Sequence, residues 1–179
     1  SFFKNKKSIL TTRSGNILGG GDFSEDRIIP DYFKAYKVNK KLYIRNPDST
    51  RPWQHVLDAS YAYLKLIERF YNKSNNINEV SWNVSSVNRR NISVLELIKN
   101  FNSLSGKKIK FKFTKKKYIE NKILNINSKK IKDTLGWANK LNIKQTIRLT
   151  LSWYLKYFEN KKNSYKITLN QIKNYLYSN

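Results

Sequence analysis

Short apolar runs alternate with helical patterns along this chain, and that alternation limits the possible folds more than any other feature. Ser8–Thr12 reads as a short buried strand. Pro30 then opens a helix to about Val38, with Asp31 in its first turn, where the helix dipole favours an anion. Leu42–Ile44 is a second short strand, ended by the turn residues Asn46-Pro47-Asp48. Asp58 looks like the N-cap of a helix to about Tyr71, with Tyr61, Tyr63, Leu64, Ile67 and Phe70 as its apolar face. Val80–Val84 is a strand, and Ser93-Val94-Leu95-Glu96 is a capping box for a helix that stops near Gly106. Ile109, Phe111 and Phe113 alternate with lysines, as in a half-buried edge strand. Ser128 starts a short helix closed by Gly136, carrying Ile131 and Leu135 on one face. Asn142 caps a long helix whose stripe is Ile143, Ile147, Leu151, Leu155 and Phe158. Residues 160–179 form a polar basic tail with a helical stretch around Thr168 to Tyr177. Strands separated by helices mean α/β, yet there are too few strands for a complete doubly wound sheet. The opening Ser1-Phe2-Phe3 is apolar, like the last turn of a helix that begins before Ser1, so a fragment of a longer chain is expected.

Composition excludes several chemistries. With no cysteine there is no disulfide framework, no thiolate metal site and no cysteine nucleophile. His55 is the sole histidine, which excludes a multi-histidine metal centre, so no metal is expected. No run of apolar residues reaches the ~18 to 20 needed for a membrane span, and a cytoplasmic protein with no membrane partner is expected. The net charge is +24, from 36 basic and 12 acidic residues, and 28 of the basic residues are lysine. Two readings follow. Lysine runs such as Lys115-Lys116-Lys117 are solvated faces, or they belong to a surface that tracks phosphates. The second demands basic and aromatic residues in alternation, which only Lys110-Phe111-Lys112-Phe113 offers, so a nucleic-acid-binding module ranks last and no specific nucleic-acid partner is expected.

Two segments could carry chemistry. Arg13-Ser14-Gly15-Asn16-Ile17-Leu18-Gly19-Gly20-Gly21-Asp22 follows the first strand, where backbone amides of a glycine loop can approach a phosphate. It has neither the P-loop lysine nor the dinucleotide spacing of glycines, and a tight turn accounts for it as well. In Arg45-Asn46-Pro47-Asp48-Ser49-Thr50-Arg51-Pro52-Trp53-Gln54-His55-Val56, two prolines stiffen a loop that presents two guanidinium groups beside an indole. Arginine's planar fork suits phosphate oxygens, although Arg51 stacking on Trp53 or pairing with Asp48 would explain it too. His55 reads as a packed residue rather than a base.

Together RSGNILGGGD, Asp26-Arg27-Ile28-Ile29-Pro30-Asp31 and Ile44–Leu57 resemble the CDP-glucose 4,6-dehydratases of the extended short-chain dehydrogenase/reductase superfamily. Trp82-Asn83, Ser93–Leu97, Glu120-Asn121, Leu135-Gly136-Trp137 and Thr150 to Tyr154 continue the likeness to about residue 158. The resemblance implies the C-terminal part of an extended short-chain dehydrogenase (Rossmann) fold: the last sheet strands plus a small mixed α/β substrate-binding lobe. It implies a division into a substrate-binding part, 1–159, and the tail, 160–179.

The family converts CDP-glucose to CDP-4-keto-6-deoxyglucose with NAD as hydride carrier, in deoxysugar biosynthesis. The resemblance places its glycine fingerprint, its Ser/Thr and its Tyr-x-x-x-Lys upstream of Ser1, so no catalytic residue is assigned here. NAD is expected to be bound mainly by that other half. The Tyr61 to Lys65 spacing lies on a different helix and reads as accidental. By resemblance, Asn16 sits near the sugar or its diphosphate and Arg51 contacts the diphosphate, while Arg27, Arg45 and Glu120 belong to the nucleotide end. The 179 residues alone are expected to be inactive, and the full-length enzyme to be a homodimer. Another NAD-dependent nucleotide-sugar epimerase or dehydratase is the alternative.

Overall fold

A computed structural model describes residues 9–72, 81–86, 91–114 and 121–177. Ser1, and with it the helix end expected at Ser1-Phe2-Phe3, lies outside the described residues. So do Ser8, Val80, Glu120 and the lysine run at 115–117. The first strand is interrupted once. Strand β1 (Thr11–Ser14) and β2 (Asn16–Leu18) follow one another across Gly15, and each takes its own parallel partner. β1 pairs with β6 (Ser81–Val84), and β2 with β5 (Trp53–His55). Gly15 carries the switch: its N–H donates to Val84 O at 3.0 Å, and a side chain there would meet Pro52 O at 2.5 Å. Two further pairs complete the strand inventory of the described residues. β3 (Leu42–Ile44) runs parallel to β8 (Phe111–Phe113), and β4 (Thr50–Arg51) is antiparallel to β7 (Ile92–Ser93).

Parallel strands need crossover connections, and helices supply them. Helix α1 (Ile28–Val38) joins β2 to β3, and α2 (Val56–Asn72) joins β5 to β6. α3 (Val94–Ser105) starts on Ser93, whose hydroxyl accepts from Glu96 N at 3.1 Å, and stops on Gly106 at φ 68°. α4 (Lys129–Leu135) stops on Gly136 in the same left-handed conformation. α5 (Ile143–Glu159) opens with a reciprocal capping box between Asn142 and Gln145. A short 3-10 turn, Lys161–Asn163, then leads into α6 (Ser164–Tyr177), which packs back onto α5.

Two apolar clusters hold these pieces. The larger joins α1, β3, α3 and α5, and at its centre Phe33 stacks on Tyr154 with ring centroids 3.8 Å apart. The smaller joins α2, β6 and α4 through Ala62, Leu66, Trp82, Ile131 and Trp137. The architecture is α/β, as the alternation of patterns predicts.

Three local expectations are corrected. The first strand spans Thr11–Ser14, and Thr11, Thr12 and Arg13 are exposed rather than buried, because among the described residues only β6 flanks it. Asp58 is not an N-cap: α2 already begins at Val56, and the Asp58 carboxylate is fully buried. It accepts from Lys140 N at 2.8 Å, Leu141 N at 3.4 Å and Tyr175 Oη at 2.9 Å, tying α2 to the loop before α5 and to α6. The buried face of α2 is also different. Ala59, Ala62 and Leu66 point inward, whereas Leu64 is 63% and Ile67 57% exposed. Small residues let the helix approach the strands closely, Leu64 and Ile67 fall on the outer side, and Tyr61 and Tyr63 pack half-buried against the smaller cluster. No helix of the described residues is long and apolar enough to cross a membrane.

Candidate functional site

The motif from Arg51 to Val56 gives each side chain a separate task. Arg51 sits in β4, only 5% exposed, and its Nη1 donates to Thr50 O at 2.8 Å and Lys122 O at 3.5 Å, which fixes the plane of the guanidinium. Trp53 opens β5, and its indole N–H donates to Ile92 O at 3.1 Å, tying β5 to β7. Gln54 Nε2 donates to Ser14 Oγ at 2.7 Å and to Val84 O at 2.8 Å, so one buried amide pins β5 beneath the break between β1 and β2. His55 is fully buried, and its Nδ1 accepts from Leu57 N at 3.2 Å at the start of α2. Burial alone pushes the imidazole pKa down to about 4, so the ring is neutral at pH 7. Its packed, uncharged state agrees with the sequence reading of His55 as structural.

Above this frame lies a cleft of about 490 Å³, within the size range of small-molecule sites. One wall is the β2 segment Gly15–Leu18, and another is the loop and first turn of α1 from Asp26 to Asp31. β3 and the following turn, Tyr43 to Asn46, close the third side, with Arg51 and Trp53 at the base. Asn16, Arg27, Arg45 and Arg51 therefore meet in a single cleft, although they lie on four different segments of the chain. Glu120 falls outside the described residues.

Three guanidinium groups line the cleft together with the Asp22, Asp26 and Asp31 carboxylates; a guanidinium is a strong partner for an anion, and Arg51 is the most buried of the three. Arg45 is held by Asp26, with an ion pair at 3.6 Å and a hydrogen bond to the Asp26 carbonyl oxygen. Asp26 adopts φ 58°, which turns its backbone carbonyl toward that contact. Asp22, by contrast, spends its carboxylate on Ser24 N at 3.0 Å, and its carbonyl accepts from the Tyr154 hydroxyl.

The glycine triplet is not part of the cleft. A side chain on Gly20 would lie 1.9 Å from Trp153 Cδ2, and one on Gly19 would lie 2.6 Å from Val56 Cγ1. The absence of side chains at Gly19 and Gly20 lets the turn lie against Val56 and Trp153, which accounts for these glycines by packing. The part of RSGNILGGGD that forms a continuous wall of the cleft is Gly15–Leu18, ahead of the triplet. Tyr61 and Lys65 also stand apart from the cleft, with the Lys65 ammonium 5.4 Å from the Tyr61 ring centre. Asp31 and Tyr43 line the cleft without having been singled out as binding residues by the motifs. The available signal was the alternation at Leu42-Tyr43-Ile44, which buries the outer two and turns the middle ring outward.

Comparison with known proteins identifies the fold and the family. A family model described as GDP-mannose 4,6 dehydratase matches residues 9–150. The chain is 29% identical over 147 residues to CDP-glucose 4,6-dehydratase of Salmonella typhimurium, covering 82% of this chain and 41% of that protein. It is 28% identical to human dTDP-D-glucose 4,6-dehydratase, covering 88% of this chain and 45% of that protein. Among solved structures, dTDP-glucose 4,6-dehydratase from Bacillus anthracis in complex with NAD superposes with TM-score 0.66 at 22% identity, covering 87% of this chain and 46% of that one. UDP-glucuronic acid 4-epimerase from Bacillus cereus, in complex with UDP-glucuronic acid and NAD, superposes with TM-score 0.69 at 16% identity, covering 83% and 46%. The fold is thus that of the extended short-chain dehydrogenase epimerases and dehydratases, and the chain spans less than half the length of the relatives it matches. With its matched region running through every strand described above and into α5, this chain belongs to the GDP-mannose 4,6 dehydratase family of nucleotide-sugar enzymes.

Proposed function

We propose that this chain is the substrate-binding part of an NAD-dependent CDP-glucose 4,6-dehydratase acting in the cytoplasm, a homodimer as the complete enzyme. The observation that carries the reading is Arg51, a buried guanidinium held by backbone carbonyls at the base of a cleft that also receives Asn16, Arg27 and Arg45. A diphosphate presents paired anionic oxygens, and a fixed guanidinium fork meets such oxygens with charge-assisted hydrogen bonds. Asn16 supplies an amide for the sugar or its diphosphate, and Arg27 and Arg45 favour the nucleotide end. Glu120 is proposed for the same end.

The chain's one glycine-rich loop is packed against Trp153 and Val56, so it does not fit a dinucleotide pyrophosphate. NAD is proposed to be held mainly by other residues of the complete enzyme, where it supplies hydride transfer. The catalytic Ser/Thr and Tyr-x-x-x-Lys are likewise proposed to precede Ser1 in that enzyme, which leaves these 179 residues inactive by themselves. The residues described here bind and orient the nucleotide sugar and shield it from water. The division at residues 159 and 160 is retained for the substrate-binding part, with α6 as a helical extension.

The test is turnover by the complete enzyme supplied with NAD and, in parallel, CDP-, UDP- and dTDP-glucose. Formation of the 4-keto-6-deoxy sugar from CDP-glucose in preference to the other two is expected. Preferred turnover of another nucleotide sugar, or inversion at C4 without loss of water, would replace this reading with that of a sibling enzyme. Arg51→Ala is expected to weaken CDP-glucose binding at least tenfold in calorimetric titration, equivalent to about 1.4 kcal/mol. Unchanged affinity would remove Arg51 from the site.

A further inference from the structure

Asp31 and Tyr43 occupy the outer lip of the cleft. Both line it, and both also line a shallower depression alongside, walled by Lys34, Val38 and Lys41. Exposure increases outward: Arg51 is nearly buried, whereas Tyr43 is 61% exposed. Tyr43 lies between Leu42 and Ile44, which are fixed in the core, so its ring stands on a rigid strand with one side open to the cleft. Asp31 is set by the first turn of α1, where its N–H donates to Arg27 O at 2.9 Å.

The three carboxylates along this cleft are not equivalent. Asp22 accepts from Ser24 N, and Asp26 is paired with Arg45. Asp31 has only a 4.0 Å contact with Lys34 among the described residues. It is therefore the carboxylate of this cleft best placed to accept a hydrogen bond from a ligand. Burial pushes its pKa up, Lys34 and Arg45 oppose that, and Asp26 and Glu25 reinforce it, consistent with a partly desolvated acceptor on the wall of a binding site.

We infer that Asp31 and Tyr43 form the base-reading end of the site, the base stacking on the Tyr43 ring and its exocyclic amine donating to the Asp31 carboxylate. The inference rests on the proposed nucleotide-sugar function and names what would select the base. A carboxylate accepts from the N4 amine of cytosine, whereas uracil and thymine present a carbonyl oxygen at the same position and are repelled. An aromatic face stacks on any base and so contributes affinity without selectivity. With the diphosphate on Arg51 and the base at the lip, cytidine compounds are favoured at position 4, where the cytosine amine donates and the uracil or thymine oxygen only accepts.

The test titrates the complete enzyme with CDP, UDP and dTDP, none of which carries a sugar. The wild-type protein is expected to prefer CDP. Asp31→Asn should cut the CDP-to-UDP preference about tenfold, because the amide can donate to the uracil carbonyl. Tyr43→Ala should weaken all three ligands and leave the preference in place. Lys34→Ala, which removes the surface partner of Asp31, should change neither. An Asp31→Asn protein with an unaltered CDP-to-UDP ratio would overturn the inference while leaving the proposed function standing. Failure of the wild-type protein to bind any nucleoside diphosphate would overturn both.

Discussion

His55 shows how a single buried group ties stability to pH. In the folded chain its pKa lies near 4, against 6.5 as the ordinary value, and burial is the cause. Below pH 6.5 the unfolded chain gains a proton that the folded one refuses, so the stabilisation present above pH 6.5 is lost as pH falls toward 4. At 1.36 kcal/mol per pH unit this approaches about 3 kcal/mol. Urea unfolding at pH 7 and pH 5 should therefore show a fall in midpoint for the wild-type chain, and a smaller fall for His55→Phe. Equal falls in both would mean that His55 does not titrate on unfolding. Gly20 is the other sensitive residue. Gly20→Ala places a methyl group against the Trp153 indole, which stacks on Tyr157 at 5.1 Å and donates to Thr168 Oγ1 at 2.9 Å. Overpacking of this kind costs about 1–3 kcal/mol, to be read as a lower urea midpoint with altered tryptophan fluorescence. The arginine loop was legible in the sequence because prolines and a clustered Arg-Trp-Gln-His are unusual in a lysine-rich chain. Asp31 and Tyr43 were not legible as cleft residues, because their proximity arises only when α1 and β3 fold against each other.

The secondary elements followed local rules wherever end groups and short spacing decided them. Ser93 and Asn142 cap as their sequences require, and Gly106 and Gly136 end their helices in the left-handed conformation. Helix α2 did not follow, since periodicity alone favours the stripe with the largest residues. The strands instead receive Ala59, Ala62 and Leu66, a narrower stripe that a close helix-to-strand approach demands. Ala62→Leu is accordingly expected to destabilise by about 1–3 kcal/mol, and Leu64→Gln by less than about 0.5 kcal/mol, in chemical denaturation. Reversal of that order would restore the periodicity-based face. Asp58 misled for a related reason: an aspartate near a helix start is a good cap, but this one is claimed by distant partners. Removing the carboxylate in Asp58→Ala leaves the buried Tyr175 hydroxyl and the Lys140 and Leu141 amides short of an acceptor. Leaving such groups unmet costs about 1–3 kcal/mol each at most, and Tyr175→Phe should recover part of the loss in a double-mutant cycle.

Across the whole molecule, a net charge of +24 is the dominant electrostatic fact. Like charges repel one another in the compact state, and salt screens them over a Debye length of roughly 10 Å at 0.1 M. The melting temperature should rise by a few degrees between low salt and about 0.5 M, with most of the rise complete by the lower part of that range, where screening changes fastest. A flat profile would place the charges too far apart to matter. Strand β1 gives that prediction a second edge. It is bonded to β6 on one flank, where Thr11 Oγ1 meets Ser81 Oγ at 2.9 Å and Arg13 Nε donates to Asn83 Oδ1 at 3.1 Å, and among the described residues no strand pairs with the other. An open strand edge accepts a further strand, so in the complete enzyme proposed above this flank is where more of the sheet would join. For the 179 residues by themselves, added ions then act twice, steadying each molecule and weakening the repulsion that holds open edges apart, a penalty that pairing of this edge in the complete enzyme would remove.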